Sequence, residues 1–484
     1  MNVKAISANV GKALLVSALF MLLSCGVSIF YGLDSSFAPL LLSFIITFSV
    51  GIFPLIFVRD TPALRMHEAF VTIVLSWLLS FLLGMLPYVL WGGEFSVINA
   101  WFESVSGYTT TGATILKNVE ALPKGLLFWR SSTQYIGGFG VVVFLMMILP
   151  TASPLRMKLA NLEISSLSRD GYSNRSAIAA KIMLSVYLGL SLLCFLSFLL
   201  AGMPIFDAIN HTLTVLPNGG FSVKNASIGY YDSTWINLIV MFFTTLCAIH
   251  FGQLYTSFAT RSFKPLNNPV VKYFLGCIVV ASVVTAFSLK FSQGYESWGR
   301  AFMDASFAVV NYITTAGFCG KADTGTWPML AGTMLMFVAF QCGCSGSTSG
   351  GLKADRILLS FRAVARQIRH SANPSEVSHI TLGKHTIKDD IALGAIAYTA
   401  LYALILVVSY VLLLILNVDR EIALSGTISS LSNVGPGLGA IGSAGNYGAL
   451  PGIVKFIFSI NMMLGRLEIY PVLVVVSLLF RKQR

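Results

Sequence analysis

The sequence contains few charged residues. Asp, Glu, Lys and Arg make up 11% of its 484 residues, whereas they make up about a quarter of a typical soluble domain. This composition excludes an ordinary soluble protein. Several apolar runs are longer than the roughly 18 residues that a membrane span needs. The runs are continuous and do not alternate with polar residues, which predicts spanning helices rather than a barrel.

The sequence also lacks the residue groupings on which many enzymes and secreted proteins depend. Its seven cysteines are scattered, without paired spacings in polar loops, which argues against a disulfide framework. The apolar runs contain neither a metal-binding cluster nor a nucleophile–base pair. We therefore expect neither an enzyme, nor a structural metal, nor a bound organic cofactor.

Ten apolar runs predict ten membrane-spanning helices. They cover approximately residues 11–33, 37–58, 68–91, 127–149, 178–202, 235–258, 270–291, 327–352, 390–417 and 452–480. The predicted fold is an all-α polytopic membrane protein, with a leading helix pair plus four helix–pore-loop–helix repeats around a single pore per chain. The predicted units are 1–66 (the leading pair), 67–155, 156–262, 263–370 (with an intramembrane loop) and 371–484.

Each of the four later helix pairs brackets a copy of one fourteen-residue stretch that ends in glycine. The copies are Asn99–Gly112, Asp207–Gly220, Asp304–Gly317 and Ile422–Gly435, and each has alanine at its second position. They are too short and too polar to cross a bilayer core of about 30 Å. Three copies begin with Asn or Asp, which are common helix N-caps. We therefore expect short pore helices that begin at these residues and end in a glycine loop.

The segments around the four glycines contain no charged side chain. A calcium-type pore would need a ring of carboxylates, and an anion pore a ring of Arg or Lys. A short helix directs its negative C-terminal end towards the pore, and a glycine loop can offer backbone carbonyls to a dehydrated cation. This arrangement favours K⁺ ahead of Na⁺. The predicted ion-binding residues are Thr110, Thr111, Gly112, Asn218, Gly219, Gly220, Thr315, Ala316, Gly317, Asn433, Val434 and Gly435.

The distribution of basic residues predicts the topology. With the N-terminus inside, most of the 32 Lys and Arg residues are cytoplasmic, both termini are cytoplasmic, and the glycine loops face outward. This bias explains the net charge of +12 without a nucleic-acid partner. Two cytoplasmic segments, 150–181 and 353–389, are basic. Arg362, Arg366 and Arg369 form a face that is either solvated and close to lipid headgroups or a docking site for a soluble regulator.

Residues 341–351 interrupt the eighth apolar run with four glycines and four hydroxyl residues. Such a segment does not form a stable helix, and unwound backbone at membrane depth must be buried or line a cavity. We interpret it as a gate; the alternative is a packing kink or a cytoplasmic helix end. The predicted gate residues are Gly343, Gly346, Ser347, Gly350, Gly351 and, in the last run, Arg466.

The inner helix of each repeat is expected to break at a glycine. The predicted breaks are Gly137–Gly138, Gly252–Gln253, Gly343–Cys344 and Gly465–Arg466. A charge inside a span is costly, so Arg466 must face a cavity or a partner. It is either an electrostatic barrier in the ion path or a structural residue bonded to Glu468 or to loop carbonyls. Lys455, at the outer end of the last run, is interpreted as an interfacial anchor.

On these features the chain resembles the Trk/Ktr/HKT superfamily of potassium transporters, and its bacterial TrkH-type branch in particular. The resemblance implies that Gly112, Gly220, Gly317 and Gly435 are filter glycines. It also implies an intramembrane loop beneath the filter, with a basic residue of the fourth repeat at the position of Arg466. It further implies a homodimer in the bacterial inner membrane, gated by a cytoplasmic ring of TrkA-type nucleotide-binding subunits.

Two functions follow from the sequence. The first is K⁺ uptake through a selective, channel-like pore that is gated by the loop and by a cytoplasmic partner. The second is a secondary carrier that couples K⁺ to H⁺ or Na⁺. Carriers are typically built from inverted repeats. Here the four repeats are parallel, with each glycine loop outward, which favours the pore.

Overall fold

The computed structural model describes residues 1–58, 64–148, 172–375, 379–382 and 385–480, with the side chains of 141–180, 385 and 479 left out. Most of the basic segment 150–181, and the predicted boundary between units 67–155 and 156–262, lie outside the described residues. The regular secondary structure of the described chain is helical apart from one short hairpin, β1 (Ile380–Leu382) and β2 (His385–Ile387), in which Ile380 pairs with Ile387.

The chain begins with two antiparallel helices, α1 (Val3–Phe30) and α2 (Phe37–Phe57). Their backbones approach closely where two glycines face each other. A Cβ on Gly11 would overlap the carbonyl oxygen of Gly51. Small residues at such a crossing allow two helices to pack without bulky side chains between them. The pair then packs against α3 (Met66–Gly84) and α6 (Lys124–Ile148).

Four units follow, each with an outer helix, a short helix and an inner helix. The first contains α3, α4 (Leu86–Trp91), α5 (Val97–Tyr108) and α6; the second α7 (Tyr172–Leu200), α8 (Ile205–Val215), α9 (Thr234–Cys247) and α10 (Phe251–Ala259); the third α11 (Pro269–Ser292), α12 (Trp298–Ile313) and α13 (Met329–Phe340), followed by α14 (Ala354–Ala372); the fourth α15 (Asp389–Ile415), α16 (Arg420–Ser432), α17 (Gly452–Arg466) and α18 (Tyr470–Phe480). The predicted all-α polytopic fold is confirmed, with the hairpin as an addition.

A 3₁₀ turn lies between the short helix and the inner helix in every unit. The turns are Val119–Ala121, Ser227–Tyr231, Thr324–Thr326 and Gly439–Ile441. Each comes after the glycine that ends the repeated stretch. The four units therefore share a local fold, and the repeat seen in the sequence corresponds to a repeat in the structure.

Within the described part of the chain, six helices are long and apolar enough to cross a membrane, or eight if each sharply bent helix pair is one span. The bent pairs are α9–α10, at 99°, and α17–α18, at 108°. The predicted span 327–352 is wrong. Its helix α13 ends at Phe340, and the following glycine- and serine-rich residues form a loop, because such residues do not sustain a helix.

The predicted break at Gly137–Gly138 is also wrong, since α6 continues from Lys124 to Ile148. Its glycines serve close packing instead. A Cβ on Gly137 would overlap the carbonyl oxygen of Tyr108, and one on Gly138 would overlap Pro217. The other three inner helices are interrupted near the expected places, at residues 248–250, 341–353 and 467–469. Gly252 and Gln253 themselves lie within α10.

The short helices begin earlier than predicted, so Asn99, Asp207 and Asp304 are not N-caps. Ser96 caps α5 and Ser297 caps α12 through their side chains, and Pro204 precedes α8. Ser and Pro are strong helix-start residues, and they lie upstream of the repeated stretch. Asp207 lies in the first turn of α8, where its carboxylate accepts a hydrogen bond from the Tyr231 hydroxyl at 2.7 Å.

Candidate ion pathway

The four glycines that end the repeated stretches form a closed ring, called here the glycine ring (Gly112, Gly220, Gly317 and Gly435). A Cβ added to any of them would overlap the carbonyl oxygen of the residue before the next ring glycine. The pairs are Gly112 with Gly219, Gly220 with Ala316, Gly317 with Val434, and Gly435 with Thr111. The fourth loop therefore closes onto the first, and the four loops surround one axis.

All four loops have the same backbone conformation. The ring glycines have φ values of 80°, 80°, 63° and 103°, and the residues two positions earlier have φ values of 52°, 55°, 63° and 59°. The residue between them donates its N–H to a helix carbonyl five residues back, over 2.8 to 2.9 Å. These are the features of a Schellman C-cap. The cap ends each short helix at the ring, and glycine is required because a side chain would meet the neighbouring loop.

Four polar side chains lie two residues before the ring glycines. They are Thr110, Asn218, Thr315 and Asn433, and all are fully buried. No described protein group donates a hydrogen bond to Thr110 Oγ1, Asn218 Oδ1 or Asn433 Oδ1. Buried oxygens of this kind normally have a partner. Their position next to the ring makes them suitable to face a cation or a water molecule.

The loop after α13, called here the buried loop (residues 341–353), lies against the C-terminal ends of the short helices. Thr348 Oγ1 donates to the Leu216 carbonyl at 3.1 Å, and Ser349 Oγ donates to the Thr314 carbonyl at 2.9 Å. The Gly350 N–H donates to Thr315 Oγ1 at 3.1 Å. The loop is therefore attached directly beside the glycine ring, in the second and third units.

The buried loop is also bonded to the bend between α9 and α10. The N–H groups of Cys344 and Thr348 donate to the carbonyls of Ala248 and Cys247, at 2.9 and 3.2 Å. The Phe251 N–H donates to the Gly346 carbonyl at 3.2 Å. These bonds give three backbone groups of the buried loop partners inside the protein, which is how unwound backbone is tolerated away from water.

The structure brings the predicted gate residues together. Gly343, Ser347, Gly350 and Gly351 are buried in the loop, and Gly346 is partly exposed. Gly350 lies so close to the fourth ring loop that a Cβ would come within 2.7 Å of Asn433 Cβ. The predicted alternative of a cytoplasmic helix end does not describe this segment, because it contacts the ends of the short helices.

Arg466 joins the buried loop to two other units. Its side chain is 3% exposed. Nη1 donates to the Thr348 carbonyl at 2.5 Å, and Nη2 donates to the Gly137 carbonyl at 3.1 Å. The loop carbonyls named as one alternative for Arg466 are thus its partners. Glu468 forms an ion pair with Arg356 of α14 at 2.6 Å.

Sequence reasoning missed a charged pair beside the ring. Glu103 of α5 and Arg130 of α6 are 0% and 3% exposed and form an ion pair at 2.6 Å. Neither residue is among the site residues expected from the sequence. The available signal was the position of Arg130 inside a predicted span, where a charge requires a partner.

Lys455 is likewise buried and is not an interfacial anchor. Its ammonium donates to Asn99 Oδ1 and to the Gly448 carbonyl, both at 2.8 Å. It connects α17 to the start of α5, across the junction between the fourth and first units. An interfacial lysine would instead extend its charge into water or lipid headgroups.

The helix α14 carries the predicted basic residues Arg362, Arg366 and Arg369. Arg366 forms an ion pair with Asp389 at the start of α15. Arg362 donates to the Thr381 carbonyl of β1. Part of the basic face therefore connects α14 to the hairpin and to α15.

The sequence matches the family model described as "TrkH: Cation transport protein" over residues 39–483. The chain belongs to the TrkH family. This membership confirms the resemblance noted from the sequence, and it confirms a transport protein rather than an enzyme.

Curated TrkH family relatives match over most of their length. The "Trk system potassium uptake protein TrkH" of Salmonella typhimurium is 33% identical over 428 residues, 88% of each chain. The protein of the same name from Escherichia coli K12 is 35% identical over 390 residues, 80% of each chain. The crystal structure of the potassium transporter TrkH from Vibrio parahaemolyticus superimposes with a TM-score of 0.88, at 32% identity and with 100% of both chains covered.

Proposed function

We propose that this TrkH family chain takes up K⁺ across the bacterial cytoplasmic membrane through a pore that passes through the glycine ring. The observation that carries the proposal is the closure of the ring, in which each glycine faces the next loop's carbonyl oxygen. The names of the relatives, which are potassium uptake proteins, support K⁺ as the ion.

In this proposal the cation exchanges its hydration water for backbone carbonyl oxygens as ligands. The twelve residues predicted as ion-binding supply the carbonyls and, at Thr110, Asn218 and Asn433, buried side-chain oxygens without a protein donor. The four short helices end at the ring, so their negative C-terminal ends surround the cation. K⁺ is the transported substrate, and carbonyl cages suit a large, weakly hydrated ion.

The buried loop and Arg466 form the proposed gate. The loop contacts the ends of the short helices, and Arg466 holds it through the Thr348 carbonyl. A buried guanidinium close to the path also repels a cation strongly, because the local dielectric constant is low. Opening then requires the loop to leave the ring and Arg466 to release it.

The proposed assembly follows the family. Two chains form a homodimer, each with its own pore, and TrkA-type nucleotide-binding subunits bind from the cytoplasm. The N- and C-termini are cytoplasmic and the glycine ring faces outward. In each chain the five units predicted from the sequence are one leading pair and four pore repeats. The surface proposed for the regulator includes α14, whose basic residues follow the buried loop directly.

Bilayer recording of the purified protein tests this function. We expect unitary K⁺ currents and a bi-ionic reversal potential that favours K⁺ over Na⁺. Transport without unitary steps, driven by an H⁺ or Na⁺ gradient in liposomes, would instead support the carrier. Absence of any K⁺ transport by folded protein, with and without its cytoplasmic partner, would contradict the proposal.

A further inference from the structure

We propose that Glu103, Arg130 and Gln134 form a brace that fixes the first two loops of the glycine ring and thereby sets the preference for K⁺ over Na⁺. These residues are named here the brace. The inference rests on the proposed function, since it assigns a selectivity-determining role to side chains that do not face the ion. It is argued from the contacts of the brace, from its burial and from its restriction to one side of the ring.

The ion pair of the brace joins the first loop to the second. Glu103 accepts hydrogen bonds from Thr114 Oγ1, at 2.9 and 3.1 Å, and from the Ile115 N–H at 3.0 Å. Arg130 donates to Glu103 at 2.6 Å and to the Ser222 carbonyl at 2.9 Å. One charged pair therefore holds the segments that leave Gly112 and Gly220.

Arg130 also stacks against the second loop. Its guanidinium lies 3.6 Å from the centroid of the Phe221 ring. Cation–π contacts of this kind are stronger when the cation is removed from water, as it is here, with 3% of the Arg130 side chain exposed. The second loop is therefore held by hydrogen bonding and by packing.

Gln134 reaches the ring itself. It lies one helical turn after Arg130 on α6, so both side chains project from the same face. Gln134 Nε2 donates to the Gly219 carbonyl oxygen, and Gln134 Oε1 accepts from the Phe221 N–H at 3.1 Å. The Gly219 oxygen is the one that faces Gly112 in the ring. The amide thus fixes an atom that the proposed function assigns to the cation.

The brace is not repeated around the ring. The residue nine positions before the ring glycine is Glu103 in the first unit and His211 in the second, and His211 bonds Ser222 Oγ at 2.9 Å. The equivalent residues in the third and fourth units are Ala308 and Gly426. Tyrosine hydroxyls of these two units both donate to carbonyls of the fourth loop, Tyr312 to Gly437 and Tyr447 to Gly435. The charged network therefore supports one half of the ring.

A purely structural role would not require this placement. Buried ion pairs contribute little net stability on average, because both charges must leave water. Binding sites, however, depend on side chains that hold the contacting atoms within about 0.5 Å of the required geometry. A brace bonded to Gly219 and to both neighbouring loops fits that requirement. Loss of the brace is expected to let the ring adapt to Na⁺.

The test uses full-length protein in bilayers and measures the permeability ratio of K⁺ to Na⁺ from bi-ionic reversal potentials. The variants are Gln134→Leu, which changes no charge, and the double variant Glu103→Gln/Arg130→Met, which leaves no unpaired charge. We expect the ratio to fall about tenfold in each, while K⁺ current persists; tenfold corresponds to about 1.4 kcal/mol of differential binding. A K⁺/Na⁺ permeability ratio equal to that of the wild-type protein in both variants would overturn the inference.

The control is Arg366→Gln/Asp389→Asn, which removes a cytoplasmic ion pair and should leave the ratio unchanged. A merely structural role would change thermal stability or the number of active molecules without moving the reversal potential. If the double variant does not fold, Gln134→Leu alone decides. If the wild-type protein showed no preference for K⁺ over Na⁺, the proposed function would be overturned. If the wild-type protein were selective and the variants had the same permeability ratio, only the role of the brace would be overturned.

Discussion

Arg466 Nη1 donates to the carbonyl oxygen of Thr348 at 2.5 Å, which joins the end of α17 to the buried loop. The bond connects the fourth unit to a loop that belongs to the third, while Arg466 also reaches the Gly137 carbonyl of the first. The loop itself contacts the second unit through Leu216. The buried guanidinium of Arg466 and the buried loop therefore connect all four units next to the glycine ring.

Replacement of Arg466 by alanine is expected to raise K⁺ flux. The variant loses both the charge near the proposed ion path and the hydrogen bond between Arg466 and the Thr348 carbonyl. Uptake into liposomes, normalised to folded protein, measures the effect. Arg466→Lys keeps the charge, so its K⁺ flux should lie between that of the wild-type protein and that of Arg466→Ala. Flux that is unchanged or lower in well-folded Arg466→Ala would rule out the barrier.

Gly317→Ala is expected to abolish most K⁺ flux. Gly317 has φ of 63°, and a Cβ would overlap the Val434 carbonyl oxygen, so a ring loop must move. Gly276→Ala in α11 is the matched control, because nothing lies within 4 Å of its added Cβ. Alanine in a helix is favoured over glycine by about 1 kcal/mol, so the control should fold and transport normally. Equal flux in both variants would argue against a path through the ring.

The repeated loops were predictable because their signal is local. Each combines a short semi-polar helix with a glycine, all within fourteen residues, and the positive-φ position before the glycine is Asn in two copies (Asn218, Asn433) and Thr in the other two (Thr110, Thr315). The residues therefore favour a Schellman cap in the copies with Asn, whereas Thr rarely adopts positive φ, so in the other two copies the sequence predicts the helix end and the glycine but not the cap. The sequence does not show that the four loops meet in a closed ring, and the structure adds this.

Pairings across helices were not predictable in the same way. Glu103 and Arg130 are 27 residues apart and lie on different helices, and Lys455 meets Asn99 at a separation of 356 residues. Gly137 and Gly138 suggested a break, yet they lie in a continuous helix because Tyr108 and Pro217 pack onto them. Tertiary contacts decided these positions, and a single sequence can indicate that a buried charge needs a partner without showing which residue the partner is.

Removal of the ion pair between Arg356 and Glu468 tests how α14 is held. Both side chains are less than one-fifth exposed, and Arg356 also stacks on Tyr398 at 3.8 Å. Glu468→Gln leaves a partly buried guanidinium without its carboxylate, which should cost about 1 to 3 kcal/mol of stability. Arg356→Met/Glu468→Gln should cost less than the sum of the single variants. Stability is measured by thermal unfolding in detergent for the wild-type protein, the two single variants and the double variant. Additive losses of stability would show that Arg356 and Glu468 are not coupled.

Two neighbouring serines of the buried loop should differ in their effect on flux. Ser349 Oγ bonds the Thr314 carbonyl at the end of α12, whereas Ser347 Oγ bonds the Cys344 carbonyl within the loop itself. A net hydrogen bond contributes about 1 kcal/mol. Ser349→Ala therefore weakens the attachment of the loop to the short helices and should raise K⁺ flux about fivefold, since about 1 kcal/mol changes an equilibrium by that factor.

Ser347→Ala removes a hydroxyl of the same kind and burial, but the bond that it breaks does not join the loop to α12. It should change flux less than Ser349→Ala does, in liposomes that contain equal amounts of folded protein. A larger effect at Ser347 would mean that the internal shape of the loop, rather than its attachment beside Gly317, limits K⁺ passage. The comparison is informative because the sequence alone singled out Ser347, and the hydrogen bonds single out Ser349.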